Sequence, residues 1–374
     1  MRQPHQAALR EVTVLIAGGG VAGGAAACLL GPGALLFERA SAAHDKICGE
    51  FVSMEAQGYL RRLGLDLPAL GAAPIHSVRL VHRDRMAAAR LPFLGYGLTR
   101  RTLDAALLDL AARQGAQVLR GHAVRGIGAA GLDVAGHGSI PGRAVFLATG
   151  KHDVRGVRRQ PGRPPEDLVG LKMYLRLAPG QQADLAGHVE LLLLGGGYAG
   201  LQLVEGGVAN LCLLIRRDCF TAAGSAWPGL RDALERDAPH LRRRLTGAAT
   251  LLDRPLSIFR VPYGYVHQPA PGDLPGLFRL GDQAGVIASF TGDGMSIALH
   301  TAFAAVAALP GGDAGAYHRK LRHDLSAQIA RASLLLRAGR LAPSLAVLAA
   351  QAWPGALRWI AQLTRVPATA LIEA

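Results

Sequence analysis

A glycine-rich turn near the N-terminus constrains the fold of this chain more than any other feature. Residues 12–17 read VTVLIA, an apolar and β-branched run that is typical of a buried strand. The run leads directly into Gly18, Gly20 and Gly23, which have the spacing GxGxxG, and an Ala-rich helical stretch follows. Such a turn allows a pyrophosphate to approach the N-terminus of the helix. The pattern predicts a strand–turn–helix unit that binds a dinucleotide.

The residues after this turn complete the unit. Residues 31–33 (GPG) end the first helix, and residues 34–37 (ALLF) predict a second strand that leads into Glu38. Gly18 and Glu38 are 20 positions apart, which suits an acid that binds a ribose hydroxyl. A glycine turn between two ordinary elements would not need an acid at this place. The short stretch from Gly23 to Glu38 predicts that a turn clips the first helix.

Composition excludes several classes of protein. The chain has 374 residues, which suggests two to three domains, and its 50% apolar content argues against disorder. Its four cysteines show no CxxC spacing, and its histidines show no metal-ligand spacing, so we predict neither a disulfide scaffold nor a metal site. The formal charge is +14, but the basic residues are scattered, so we predict an anionic cofactor or substrate rather than nucleic acid.

The two ends of the chain bear on its location. The first ten residues, MRQPHQAALR, lack an apolar stretch, so we predict no signal peptide and a cytoplasmic protein. No uninterrupted apolar run reaches the length of about 18 residues that predicts a membrane span. The region from residue 326 is helical in pattern and apolar, with Trp353 and Trp359 among arginines. It is either a helical lid packed on the cofactor domain or a site of peripheral membrane contact.

Three later segments resemble one superfamily. Residues 97–118 (GLTRRTLDAALLDLAARQGAQV) place an arginine before an amphipathic helix over 102–113 and a Gly-Ala-x-Val strand. Residues 145–150 (VFLATG) read as a buried strand that ends in a glycine turn. Residues 277–285 (LFRLGDQAG) and 290–295 (FTGDGM) read as a strand, a Gly-Asp pair and a turn that opens a helix. With the GxGxxG unit, they resemble the flavoproteins that include aromatic-ring hydroxylases, geranylgeranyl reductases and flavin-dependent halogenases.

The resemblance implies FAD as the cofactor. It matches Arg100 to the family's flavin-contacting arginine and Val124 to the strand position that touches adenine. It implies that Asp282 hydrogen-bonds the ribityl chain and that the following turn and helix N-terminus hold the pyrimidine edge of the flavin. The predicted cofactor-binding residues are Gly18, Gly20, Ala22, Gly23, Glu38, Arg39, Arg100, Val124, Gly150, Gly281, Asp282, Gly292, Gly294 and Met295.

Two further motifs bear on the branch of the superfamily. Cys48 and Gly49 resemble the Cys-Gly pair of geranylgeranyl reductases, where the cysteine lies near the flavin. Cys48 is therefore a candidate catalytic residue, with plain packing beside the flavin as the alternative. Residues 198–203 (YAGLQL) resemble the YxWxFP element of those reductases but lack its Trp, Phe and Pro. Their absence argues against an isoprenoid substrate. The chain has no WxWxxI element, and Lys46 is in a different context from the halogenase lysine, so the sequence argues against a halogenase.

The order of the motifs predicts an α/β fold in which the cofactor domain is discontinuous. We expect a Rossmann-like FAD-binding domain of the glutathione-reductase type, an inserted, mostly antiparallel β-sheet substrate domain and a C-terminal helical segment. The FAD-binding domain is predicted over residues 11–65, 99–160 and 255–325. The substrate domain is predicted over residues 66–98 and 161–254, and the C-terminal helices over residues 326–374.

The leading functional hypothesis is an FAD-dependent oxidoreductase that acts as an NAD(P)H-dependent monooxygenase on a lipophilic or aromatic small molecule. The alternative is a flavin-dependent ene-reductase similar to geranylgeranyl reductase, which the Cys48–Gly49 pair and the TGDGM turn favour. A third possibility is a flavin-binding protein without catalysis. A second GxGxxG unit for a nicotinamide is absent from the sequence, and such flavoproteins often receive hydride without one.

Overall fold

Three β-sheets organise the computed structural model, which describes residues 14–129, 131–162, 164–353 and 355–371. The first ten residues, for which no signal peptide is predicted, lie outside the described residues. So do residues 12–13, the predicted start of the first strand. The strands are β1 Val14–Ala17, β2 Ala34–Glu38, β3 Phe51–Val52, β4 Ala73–His82, β5 Arg85–Gly97, β6 Gln117–Arg120, β7 Val124–Gly128, β8 Gly131–Val134, β9 Gly138–Ile140, β10 Ala144–Leu147, β11 Leu168–Arg176, β12 Gly187–Leu194, β13 Gly197–Leu203, β14 Ala209–Arg216, β15 Ala249–Thr250, β16 Leu256–Phe259 and β17 Leu277–Arg279.

Eleven α-helices are described between and after these strands. They are α1 Val21–Leu30, α2 Met54–Arg62, α3 Arg100–Arg113, α4 Pro179–Leu185, α5 Arg217–Ala222, α6 Trp227–Asp237, α7 Pro239–Leu245, α8 Gly294–Ala308, α9 Ala314–Leu341, α10 Pro343–Ala352 and α11 Gly355–Leu363. The first helix ends in the short 3₁₀ turn Gly31–Gly33, as its sequence predicts.

The first sheet carries the predicted dinucleotide unit. Its strand order is β17-β10-β1-β2-β6, and each described pairing is parallel. Helices cover one face of this sheet and the small sheet β7-β8-β9 covers the other. Strands β1, β2 and β10 are therefore buried at every position, which explains their continuous apolar runs. Helices α1, α3 and α8 pack together on one face, and the small sheet β7-β8-β9 packs on the other.

The second sheet is larger and almost wholly antiparallel. Its order is β15-β11-β14-β13-β12-β4-β5-β3, with β16 also paired to β11, and only β12 and β4 pair in parallel. Helices α6 and α7 cover one of its faces through Trp227, Leu230 and Leu241. The strands predicted near residues 189–194 and 208–215 are β12 and β14. Strands β3 and β16 pair with this sheet, although the expected boundaries at residues 65 and 255 assign them to the cofactor domain.

The C-terminal helices divide between the two halves of the molecule. Helix α9 packs on α8 and β17, whereas α10 and α11 pack over β4 and β5. The predicted lid therefore covers the cofactor half through α9 and the large sheet through α10 and α11. Gly294–Gly311, which includes α8, is long and apolar enough to pass a length-and-composition test for a membrane span, but 56% of that stretch is buried inside the protein. Its packing against α1, α2 and α9 is that of a core helix.

Candidate functional site

A cavity of about 700 Å³ lies between the parallel sheet and the large antiparallel sheet. Its volume falls within the range of small-molecule and cofactor sites, about 300–1,000 Å³. All the predicted cofactor-binding residues except Gly23 line it, and so does Cys48. The structure thus brings together segments that are separated by more than 200 residues along the chain. Their roles toward a cofactor remain predictions.

The glycines of the GxGxxG turn have different local tasks. Gly18 has a φ of +106°, and a Cβ there would lie 2.6 Å from the carbonyl oxygen of Ala148 on the neighbouring strand connection. A Cβ on Gly23 would lie 1.9 Å from the carbonyl oxygen of Gly18. These two glycines therefore allow the turn to close and α1 to pack tightly. Gly20 lies at the N-terminus of α1 and, like Gly18, lines the cavity.

Two cations converge on Gly20. A Cβ on Gly20 would lie 3.1 Å from Nη2 of Arg100 and 3.8 Å from Nζ of Lys46. Both cations pair with Asp104, each at 2.8 Å. Burial alone would raise the pKa of Asp104, but the charges of Arg100 and Lys46 outweigh it and hold that pKa below its usual value. Two cations with one anion leave a net positive charge beside a helix N-terminus, which suits a pyrophosphate.

The end of β2 presents a fixed carboxylate. Glu38 is 7% exposed, and it accepts a hydrogen bond from the Gly19 N–H at 2.7 Å and another from the Ala40 N–H at 2.9 Å. These two bonds hold the carboxylate at the cavity, which Val124 also lines. Arg39 follows on the exposed side, where its Nη2 lies 3.0 Å from Nε2 of His152. The arrangement fits the ribose of a dinucleotide.

The loop after β17 forms the opposite end of the predicted cofactor site. Gly281 has a φ of +56°, and its N–H donates to Oγ1 of Thr301 at 2.8 Å. Asp282 follows it and pairs with Nζ of Lys151 at 3.3 Å, and the Asp282 charge raises the pKa of Lys151. Nothing lies within 4 Å of a Cβ built on Gly294, at the N-terminus of α8. The helix terminus is therefore open to the cavity.

A buried ion cluster joins this loop to the C-terminal segment. Arg365 donates to Oδ1 of Asp293 at 2.8 Å and lies 3.8 Å from Oε2 of Glu55. Its guanidinium also lies over the ring of Phe93, at 4.5 Å. Burial raises the pKa of Asp293 to about 7, although Arg365 opposes that shift. No sequence motif predicts this cluster, because its residues come from four distant segments of the chain.

A second buried cluster holds the loop that carries Cys48. Glu50 and Lys172 are fully buried and pair at 2.6 Å, and the hydroxyl of Tyr174 donates to Glu50 at 2.8 Å. Glu50 has a φ of +61°, and its carboxylate also accepts the N–H of Arg100 at 2.7 Å. The backbone N–H of Glu50 donates to Sγ of Cys48 at 3.3 Å. The cluster ties the loop to the large sheet and to the start of α3.

The part of the cavity under the large sheet is mainly apolar, and we call it the substrate lobe. Its walls are Val78, Leu91, Val189 and Leu191 from the sheet and Leu357 and Ile360 from α11. Gly200 lies between Leu191 and Cys212 on adjacent strands, and a Cβ on it would meet nothing closer than 4.0 Å. Gly200 stands where the YxWxFP element has its tryptophan, and the space that such a side chain would fill is therefore open.

One group of hydroxyls interrupts this apolar wall. The hydroxyls of Tyr198 and Ser289 are hydrogen-bonded, and the Tyr263 hydroxyl lies 3.3 Å from the same serine. Phe290 packs edge-on against Tyr198, with ring centroids 6.1 Å apart. Burial raises the pKa of Tyr198 and of Tyr263, so both hydroxyls are protonated near neutral pH. Tyr198 belongs to the sequence segment 198–203 (YAGLQL), whereas no sequence motif includes Ser289.

Comparison with known proteins supports the fold. No family model matches the chain, and no curated protein matches it. The flavin-dependent brominase Bmp2 has a similar structure, with a TM-score of 0.76 and 17% identity over 94% of this chain and 93% of the other.

Two further solved structures have the same architecture. The flavin-dependent halogenase CmlS has a TM-score of 0.68 and 19% identity, over 85% of this chain and 63% of the other. A flavoprotein/dehydrogenase from Cytophaga hutchinsonii has a TM-score of 0.67 and 19% identity, over 80% of this chain and 79% of the other. The chain therefore has the fold of flavin-dependent halogenases and of this flavoprotein, and the resemblance inferred from its motifs is confirmed at the level of the fold.

Proposed function

We propose that the protein is an FAD-dependent oxidoreductase, and specifically an NAD(P)H-dependent monooxygenase of a lipophilic or aromatic small molecule. The observation that carries the proposal is the convergence of the GxGxxG turn, the Glu38 carboxylate and the Gly281–Gly294 loop on one cavity. That cavity has an apolar lobe next to the loop. A Rossmann-like FAD-binding domain of the glutathione-reductase type, with an inserted substrate domain, is the proposed domain arrangement.

The residues of the cavity fit FAD in a definite direction. Arg100 and Lys46, beside Gly20, would neutralise the pyrophosphate, and Glu38 would accept hydrogen bonds from the adenosine ribose. Asp282 would bind the ribityl hydroxyls, and the N-terminus of α8 would stabilise negative charge on the pyrimidine edge. When bound, FAD would supply the redox chemistry, passing electrons from NAD(P)H to oxygen. The protein supplies position, charge and exclusion of water.

The substrate lobe would orient the second reactant. Its aliphatic walls favour an apolar molecule, since each buried CH₂ group contributes about 0.8 kcal/mol. The protonated hydroxyls of Tyr198 and Tyr263 could hydrogen-bond one oxygen of that molecule. The lobe lies beside Ser289 and Phe290, close to the loop that would hold the flavin ring. A molecule bound there would lie between the flavin and the sheet.

An ene-reductase is the second candidate, because Cys48 lines the same cavity. The backbone carbonyl oxygens of Cys48 and Gly49 both accept hydrogen bonds from Nδ2 of Asn210, at 3.1 and 3.0 Å, so the loop that carries Cys48 is held in place. The two reactions differ in their need for oxygen. A reductase saturates an alkene without oxygen, whereas a monooxygenase needs it.

The cavity supports halogenation less well, although some proteins of similar fold are halogenases. All four lysines of the chain are ion-paired with carboxylates: Lys46, Lys151, Lys172 and Lys320. Lys172 is fully buried behind Glu50 and does not line the cavity. The substrate lobe therefore has no unpaired lysine to capture an oxidised halide.

The test is reconstitution with FAD followed by turnover. We expect stoichiometric flavin, and oxygen consumption that rises with candidate aromatic substrates and tracks NAD(P)H oxidation. Anaerobic alkene saturation would support the reductase instead, and halogenated product in the presence of bromide would support a halogenase. A chain that takes up no flavin would refute all three enzyme hypotheses.

The substrate lobe can be tested separately with one glycine. Gly200→Leu should fill it and weaken substrate binding at least about tenfold, because the leucine would occupy apolar volume that the substrate needs. Gly128→Leu is the matched control, since Gly128 lies on strand β7 with open space around it and outside this cavity. Unchanged substrate affinity in Gly200→Leu, with FAD bound as in the parent, would remove the substrate lobe from the proposal.

A further inference from the structure

The outer side of the C-terminal helices concentrates exposed apolar side chains. Eleven large apolar residues are exposed in the described part of the chain, and six of them lie between residues 334 and 359. These six, which we call the C-terminal apolar surface, are Leu334, Leu341, Leu345, Leu348, Trp353 and Trp359. Their exposed fractions run from 41% to 86%. A concentration of this kind marks an interaction site rather than the scattered apolar residues of an ordinary surface.

The packing of the helices places these residues on neighbouring helices. Helices α10 and α11 both pack against β5, and they bury Val347, Ala350 and Leu357 against the sheet. The sides that carry Leu345, Leu348 and Trp359 are the sides that this packing leaves uncovered. Helix α9 turns into α10 through a bend of 107°, which brings Leu341 to the same corner. The apolar side chains therefore belong to neighbouring helices rather than to separate regions.

The charge of this region has one sign. Residues 325–371 contain no Asp, Glu or Lys. Their charged residues are Arg331, Arg337, Arg340, Arg358 and Arg365. Arg365 is taken up by the buried cluster with Asp293, and Arg340 pairs with Glu166. Arg331, Arg337 and Arg358 are exposed, so the solvent-facing charge that residues 325–371 themselves contribute beside the apolar surface is positive.

This combination indicates what would cover the surface. Exposed leucine and tryptophan beside arginine, without acids, is the composition of helices that lie in the interface of an anionic bilayer. Tryptophan in particular favours the level of the headgroups. A second copy of the chain is a poorer occupant, because a twofold contact would bring the same arginines against one another.

We propose that the C-terminal apolar surface is a membrane-binding site that takes a bilayer with anionic headgroups. Leu357 and Ile360, on the same helix as Trp359, line the substrate lobe, so the bilayer would lie one helix away from the cavity. A lipophilic substrate could then pass from the bilayer to the substrate lobe, and this role of the membrane contact rests on the proposed function. The contact itself depends only on the surface.

The experiment uses the full chain loaded with FAD and two kinds of vesicle. We expect cosedimentation with vesicles of phosphatidylcholine and phosphatidylserine to be at least about tenfold stronger than with phosphatidylcholine alone, and to weaken as salt is added. The double variant Trp353→Gln/Trp359→Gln should lose about tenfold or more in vesicle affinity. Phe259→Gln is the matched control, because Phe259 on β16 is 50% exposed against 52% for Trp359.

Three results would overturn the proposal: no preference for the anionic vesicles, equal losses in the double variant and the control, or a concentration-dependent dimer that shields both tryptophans from quenchers. Flavin absorbance before sedimentation keeps this test apart from the proposed function. A chain without flavin that still binds anionic vesicles would support the membrane site and count only against the enzyme hypothesis.

Discussion

Replacement of Lys172 by Met should destabilise the loop that carries Cys48 and, through that loop, the cavity. Lys172 and Glu50 are both fully buried, and their charged groups lie 2.6 Å apart. Removing one partner of a buried ion pair leaves an uncompensated charge and costs about 3–5 kcal/mol. We expect a loss of this size in the free energy of unfolding from urea titration at neutral pH. FAD affinity should fall too, because Glu50 also accepts the N–H of Arg100.

The pH dependence of the variant tests the cause of that loss. Burial already raises the pKa of Glu50, and Lys172 is the main group that opposes the rise. In Lys172→Met this pKa rises further, so the folded state binds a proton that the unfolded state releases. The stability of the variant should therefore increase as the pH falls from about 8 to about 5, by about 1.4 kcal/mol for each added unit of pKa shift.

A double variant supplies the control. Lys172→Met/Glu50→Gln removes both charges, so it should regain much of the stability and lose the pH dependence. The reasoning would be refuted if Lys172→Met cost less than about 1 kcal/mol at neutral pH and showed the parent's pH profile. It would also be refuted if the double variant were as unstable at every pH as the single one.

Three further predictions concern other parts of the cavity and its support. Gly20→Val should abolish FAD uptake, measured by absorbance, because its side chain would fill the space beside Arg100; stoichiometric flavin would contradict the assignment. Arg365→Met should expose the C-terminal segment to proteolysis by removing the cation paired with buried Asp293, while Arg365→Lys should largely restore protection. Burial lowers the pKa of His267 to about 4 and that of His318 to about 3, so protonation of these rings should cost stability as the pH falls below about 6.5, by at most roughly 3 and roughly 5 kcal/mol, in acid titrations of the parent and of Gln variants.

The motifs made the cofactor half of the molecule predictable. A glycine turn after a buried strand, and an acid 20 positions later, have one common structural solution, and β1, α1 and β2 adopt it. Helix α3 begins at Arg100, where the capping side chain of Thr99 accepts the N–H of Thr102 at 3.2 Å. These features depend on local spacing, so a single sequence contains them. The domain boundaries stay predictions, and the pairing of β3 and β16 with the large sheet is not contained in the motif order.

The buried ionic clusters could not be predicted in the same way. Arg365 reaches Asp293 across 72 positions, and Lys172 reaches Glu50 across 122 positions, with no periodic pattern around either. An isolated lysine within an apolar strand such as β11 signals that some partner is buried with it, but not which acid provides the counter-charge. Only the fold brings these groups together. The same holds for Ser289, which has its role through Tyr198 and Tyr263.

The charges around the cavity would favour one direction of binding for a dinucleotide. At the Gly20 end, Arg100 and Lys46 share one acid, so a positive charge remains for the pyrophosphate. At the other end, Asp293 and Glu55 share Arg365, and the excess there is negative unless Asp293 takes a proton. The pKa of about 7 for Asp293 makes that proton available near neutrality. With Asp293 protonated, this end is close to neutral, so a pyrophosphate would be drawn toward Gly20 by the local pairing of charges rather than by the net charge of the chain.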